Sequence, residues 1–108
     1  MNLTPSSLLR VLTSNGADLA LSKQQGKDVL ELCPDADARF TLRVFDKTLR
    51  RYGVRRVHVE QKGAATRMLY GLDEDSVLFT VDYSERPARF IMKTAQSLVF
   101  ARRASIRR

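Results

Sequence analysis

Three groups of side chains in this sequence could do chemistry by type and spacing, and each has a plainer alternative. His58 is the single histidine and stands between Arg56 and Glu60. If this stretch is a strand, alternation puts all three residues on one face. There they could serve as phosphate clamp, base and acid in RNA cleavage. An ordinary strand histidine is the favoured alternative, because no other catalytic residue type converges on His58 in the sequence. Asp73-Glu74-Asp75 opens like a calcium loop but lacks the glycine and the closing glutamate such a loop needs, so it reads as a solvated turn. Cys33 is the single cysteine and precedes Pro34. One thiol and one histidine do not complete a usual zinc site, so Cys33 reads as a small core residue rather than a nucleophile. No Gly-x-Ser-x-Gly, His-Glu-x-x-His, P-loop or dinucleotide fingerprint occurs. The expectation is a protein that is not an enzyme, with no cofactor and no metal.

What remains is positive charge. The net charge is +7, from 19 Lys and Arg against 12 Asp and Glu. Residues 1–33 hold three basic against three acidic side chains, residues 34–66 eight against four, and residues 67–108 eight against five. All the excess therefore lies beyond the first third. Most of these cations are arginine, whose guanidinium grips phosphate or carboxylate with two parallel bonds. Arg39, Arg43, Lys47, Arg50 and Arg51 recur at helical spacing, Arg55 and Arg56 follow, and Arg103 and Arg107 add charge near the end. Cations at i, i+4 and i+8 can follow a phosphate backbone, which gives affinity without base readout. The first expectation is thus a binding protein for an anionic partner, foremost nucleic acid, DNA or RNA. The alternative is a protein–protein adaptor, inhibitor or assembly subunit whose arginines pair with an acidic protein partner. A small ribonuclease is third. A homodimer stays open, and a merely solvated basic surface is the bland competitor.

These residues need elements to hold them. A length of 108 residues suits one domain that buries its own core without staples. A lone cysteine, no charged leader and no long apolar run point to the cytoplasm and to no membrane span. Thr4, Pro5 and Gly16 read as N-cap, N1 and C′ of a short helix. Leu3 and Leu8 have the spacing of a hydrophobic staple. Residues 18–32 read as a hairpin around Gly26, with a second short helix at 18–25 as competitor. Ala38, Leu42, Phe45, Leu49 and Tyr52 form one apolar stripe, so residues 36–52 are predicted helical, capped by Asp35 or Asp37 and closed by Gly53. Phe40, Leu42 and Val44 also alternate, which keeps a strand at 39–46 as the rival. Three strands follow, Val54–Gln61, Thr66–Leu72 and Val77–Tyr83, joined as an antiparallel meander. Pro87 suits a first helical turn, and Ala88, Ile91, Met92, Ala95, Leu98, Val99 and Ile106 share a helical face, so a last helix is expected from there. The predicted fold is α+β: an antiparallel sheet of about three to five strands with two or three helices on one face, in the order α-β-β-α-β-β-β-α. Gly16 and Gly26 are ten residues apart, as are Gly53 and Gly63, which would suit two helix–strand–turn–strand units.

Three likenesses accompany this reading. The expected α-β-β-β-α order of residues 36–104 resembles the topology of double-stranded-RNA-binding domains. Such domains open their last helix with lysines, whereas this chain has Ser84-Glu85-Arg86-Pro87, so no phosphate-gripping residue is carried over. The run Thr66-Arg67-Met68-Leu69-Tyr70-Gly71-Leu72, continued to Phe79, resembles the central strands of RelE-type ribosome-dependent ribonuclease toxins and implies RNA cleavage. The N-terminal strand and paired helices of those toxins are not evident. Gly16-Ala17-Asp18-Leu19-Ala20-Leu21 is similar to the small N-terminal domains of pilus and secretion ATPases, but the phosphate loop of the engine is missing.

Overall fold

Each helix begins at a polar cap and ends at a glycine, and the computed structural model, which describes residues 3–95, shows both devices. In α1 (Pro5–Ser14) the Thr4 hydroxyl accepts from the Ser7 N–H at 3.1 Å, and the Thr4 N–H donates to the Ser7 hydroxyl at 2.9 Å. That is a capping box with serine in the usual glutamate place. In α2 (Ala38–Arg50) Asp37 caps, its carboxylate accepting from the Phe40 N–H at 3.1 Å.

The two helices also close alike. Gly16 donates to the Thr13 carbonyl and Ala17 to that of Leu12; Gly53 donates to the carbonyl of Arg50 and Val54 to that of Leu49. Both glycines have positive φ, +98° and +77°. This is the Schellman closure, in which a left-handed residue lets two terminal carbonyls be satisfied.

Six strands follow from the alternating runs: β1 (Leu19–Gln24), β2 (Lys27–Leu32), β3 (Arg55–Lys62), β4 (Ala65–Gly71), β5 (Val77–Glu85) and β6 (Ala88–Thr94). They form one sheet in the order β1-β2-β6-β5-β4-β3, with every neighbouring pair antiparallel. Gln25 and Gly26, both at positive φ, make the two-residue turn of the first hairpin. Residues 18–25 thus hold strand β1 and the start of its turn, and no helix. In strand order and direction, α1-β1-β2 and α2-β3-β4 occupy opposite edges of the sheet, related by an approximate two-fold through the central β5–β6 hairpin. The glycine spacing reports this arrangement.

Both helices cover the same sheet face. Leu30, Met92, Val81 and Met68 make a cross-strand row beneath them, all buried. Phe45 of α2 anchors the centre, edge-on to Tyr70 at 4.9 Å and to Phe90 at 5.3 Å between centroids. Among the described residues, no helix is long and apolar enough to cross a membrane.

Three expectations need correction. The described residues hold six strands rather than three to five, with two helices. The segment after Pro87 is strand β6, not the start of a helix: Phe90 and Met92 alternate into the core, and the run pairs with β2 on one side and β5 on the other. Pro87 sits in the Arg86–Pro87 turn that closes the β5–β6 hairpin. Finally, the buried side of α2 is Ala38, Thr41, Val44, Phe45, Thr48 and Leu49, while Leu42 and Tyr52 are half-buried. The helix is rotated toward its threonines, which a polar–apolar pattern assigns to solvent. The remainder of the expected last helix, with Arg103 and Arg107, lies outside the described residues.

Candidate functional site

The long buried side of α2 leaves a long exposed side, and the sequence fills it with cations. Arg39, Arg43, Lys47 and Arg50 all point to solvent, as does Arg51 just after the helix. The short Gly53 turn then starts β3 with Arg55 and Arg56, both exposed.

Three hollows among the described residues border this side: one of about 370 Å³ lies between Arg39, Arg43, Asp46, Arg56 and Glu85, and the other two share Arg50. The larger of those two is an open groove of about 680 Å³, lined by Asn15 at the end of α1 and by Phe40, Arg43, Lys47, Arg50 and Arg51. The smaller, about 290 Å³, is lined by Asp46, Arg50, Arg55, Arg56 and Tyr70. Arg50 lines both, so the two adjoin there, between α2 and the beginning of β3.

The cations along these hollows differ in what they touch. Arg56 is engaged: its guanidinium donates to the Asp46 carboxylate of α2 and, at 3.2 Å, to the Tyr70 hydroxyl of β4. The Tyr70 hydroxyl in turn donates to Asp46. Burial first, and then the Asp46 carboxylate, push the Tyr70 phenol far above its ordinary value, so it stays a neutral donor. Arg39 approaches Glu85 at 3.9 Å with both side chains largely in water, a pair worth little. Among the described residues, Arg43, Lys47, Arg50, Arg51 and Arg55 have no carboxylate at ion-pair distance. On the other sheet face, by contrast, Asp82 engages Arg67 at 2.9 Å and Lys93 at 3.9 Å.

Of the residues expected from sequence, Arg39, Arg43, Lys47, Arg50, Arg51 and Arg55 are thus brought to one exposed side. Arg56 borders it but is committed to a hydrogen-bonded triad.

Phe40 escaped the sequence reading. It lies among the cations rather than in the buried stripe, and it is 44% exposed. The tip of its ring rests on Gly16, where an added Cβ would stand 3.3 Å from Phe40 Cε2. Its signal was an apolar residue three, seven and eleven places before Arg43, Lys47 and Arg51, on the polar side of the helix. Asp46 and Tyr70 were also missed, since the contact that joins them spans two elements.

The catalytic trio is not assembled. A bulge between Arg56 and His58 breaks the alternation of β3. Arg56 therefore stands opposite Tyr70 on the helix-covered face, whereas His58 stands opposite Leu69 on the other face, since adjacent residues of β4 point oppositely. His58 keeps Glu60 as neighbour, with 3.9 Å between Nε2 and Oε1. Asp73-Glu74-Asp75 is the exposed β4–β5 turn, with the Asp75 N–H donating to Asp73 Oδ1 at 2.9 Å. The Cys33 thiol is pushed up by a hydrogen bond with Asp18 and then by burial, which opposes the thiolate a nucleophile needs. Among the described residues, no three His, Cys, Asp or Glu converge as a metal set.

Compared with protein-family models, with curated proteins and with solved structures, the chain matches none.

Proposed function

We propose that this protein binds nucleic acid without transforming it, through cation–phosphate contacts along the outer side of α2 and the start of β3. One observation carries the proposal. Arg43, Lys47, Arg50, Arg51 and Arg55 line two hollows that adjoin at Arg50 and have no carboxylate partner among the described residues. Unpaired cations held on a helix and at the start of the strand that follows it are ready to neutralise phosphates and release condensed counterions. Such contacts position a polymer and carry no base sequence, so broad rather than sequence-specific binding is expected.

The test is an anisotropy titration with labelled DNA and RNA at two salt concentrations. Affinity should fall with salt at a log–log slope of about −0.9 per phosphate contacted on duplex and about −0.7 on single strands. Reversing two charges together, Arg43→Glu with Arg50→Glu, should weaken every sequence to a similar degree and flatten the slope. An absence of binding at low salt to DNA and RNA alike would overturn the proposal. Capture of one acidic protein by wild type and not by the double variant would then favour an adaptor.

A further inference from the structure

We infer that the bound polymer is single-stranded and that one of its bases stacks on Phe40; this rests on the nucleic-acid reading above and goes on to name the ligand. Phosphate contacts alone need no aromatic, and a duplex keeps its base faces inside the stack. Phe40 nevertheless stands 44% exposed in a groove whose other exposed lining is Asn15 and the four cations Arg43, Lys47, Arg50 and Arg51. Among the described residues no carboxylate lines that groove.

Phe40 is also partly held in place. The Phe40 N–H is tied to the Asp37 cap, and the ring tip rests on the Gly16 backbone at the end of α1. The helix cap thus fixes the Phe40 backbone and the end of α1 bounds the ring on one side, which reduces the entropy lost when a base lands on it. Residues 40, 43, 47, 50 and 51 run along one side of the helix over about 16 Å at 1.5 Å per residue. A base on Phe40 therefore leaves the neighbouring phosphates to Arg43 and Lys47, and those further along to Arg50 and Arg51. An aromatic platform beside a cationic groove is how single strands are held without sequence preference.

The experiment compares three probes of equal length: a deoxythymidine oligonucleotide, an abasic deoxyribose-phosphate oligonucleotide, and a duplex. Wild type should prefer the thymidine strand over the abasic one by about 5- to 150-fold for each stacked base. Phe40→Ala should bring the thymidine strand down to the abasic level and leave the abasic strand and the duplex unchanged. The chain has no tryptophan, so Phe40→Trp places its one indole at the proposed platform, where it can be excited at wavelengths the tyrosines do not absorb. Its fluorescence should be quenched by the thymidine strand and not by the abasic one. Equal wild-type affinity for the thymidine and abasic strands, or a Phe40→Ala loss shared by all three probes, would overturn the stacking inference while leaving phosphate binding intact. Failure of all three probes to bind at low salt would overturn both.

Discussion

The two αββ halves of this molecule are built on one plan and carry different surfaces. Each has a capped helix, a Schellman glycine and a glycine-assisted hairpin, and each occupies one edge of the sheet. Counted back from the closing glycine, Leu8 and Leu12 of α1 match Phe45 and Leu49 of α2, and all four are buried. Ala17 and Val54, which follow those glycines, are buried too. Outside these shared positions the halves diverge. Helix α1 carries one cation, Arg10, whereas α2 carries Arg39, Arg43, Lys47 and Arg50. Only the second half has the exposed Phe40, the bulge in β3 and the Asp46–Tyr70–Arg56 triad. The fold evidently requires the caps, the glycines and the buried stripes, since both halves keep them. It does not require the cations or Phe40, because the first half folds on the same plan without them. What one half has and its twin lacks is where function is to be sought.

The largest effects should fall where the halves agree. Phe45→Ala should cost about 3–5 kcal/mol and Leu8→Ala about 2–5 kcal/mol, since each leaves a cavity in the same core. Both variants should unfold in urea as single transitions. A Leu8→Ala cost below about 1 kcal/mol beside a full Phe45→Ala cost would break the comparison, showing that α1 only decorates a core built by the second half.

The shared plan was the legible part of the sequence. Caps, closing glycines and hairpin turns are local signals, so α1, the first hairpin, α2 and the β3–β5 meander could be read from short windows. Strand β6 could not. Ala88, Ile91, Met92 and Ala95 fit a helical period as well as Phe90 and Met92 fit alternation, and only pairing with β2 and β5 decides between them. Those partners lie far apart in the chain, and β2 is some sixty residues away. The exposed cations of α2 were legible because charge repeats at helical spacing. Their division was not: Arg56 looks like Arg55 until Asp46 and Tyr70 are brought to it. The bulge that separates Arg56 from His58 leaves no mark in an alternating run. The rotation of α2 was hidden by Thr41 and Thr48, which are buried with no orphaned polar side-chain atom among the described residues.

A middle-sized effect should sharpen the contrast at Tyr70, since residues 1–33 contain no tyrosine. Burial, and then Asp46, raise the folded-state pKa of this phenol above its unfolded value near 10. The native state therefore keeps a proton that the unfolded chain releases. This contribution is fully present below about pH 10 and is lost as pH rises beyond it, at no more than about 1.4 kcal/mol per pH unit. Tyr70→Phe should cost about 1–2 kcal/mol near neutrality, because Asp46 loses a donor. It should also flatten the decline of stability above pH 10, read from urea midpoints. An unchanged alkaline decline would show that the triad does not hold the proton.

The smallest effect has the most to say about the surface that only one half possesses. Arg43 lies four residues from both Arg39 and Lys47, and like charges at that spacing destabilise a helix by about 0.2–0.5 kcal/mol each. Unlike Lys47 and Arg50, it is outside the last turn, so it gains little from the helix dipole there. Asp46 is three residues away, but its carboxylate is already engaged by Arg56 and Tyr70. Arg43→Gln should therefore raise stability by a few tenths of a kcal/mol at low salt. The gain should vanish near 1 M salt, where the screening length falls to about 3 Å. Urea is the denaturant to use, because guanidinium is itself a screening salt. The same variant should weaken oligonucleotide binding and reduce its salt slope by about one phosphate contact. Opposite signs for stability and binding at one residue would mean that the cations on α2 are kept despite the fold. A loss of stability would mean instead that Arg43 serves the helix, and the contrast between the halves would no longer single out this surface.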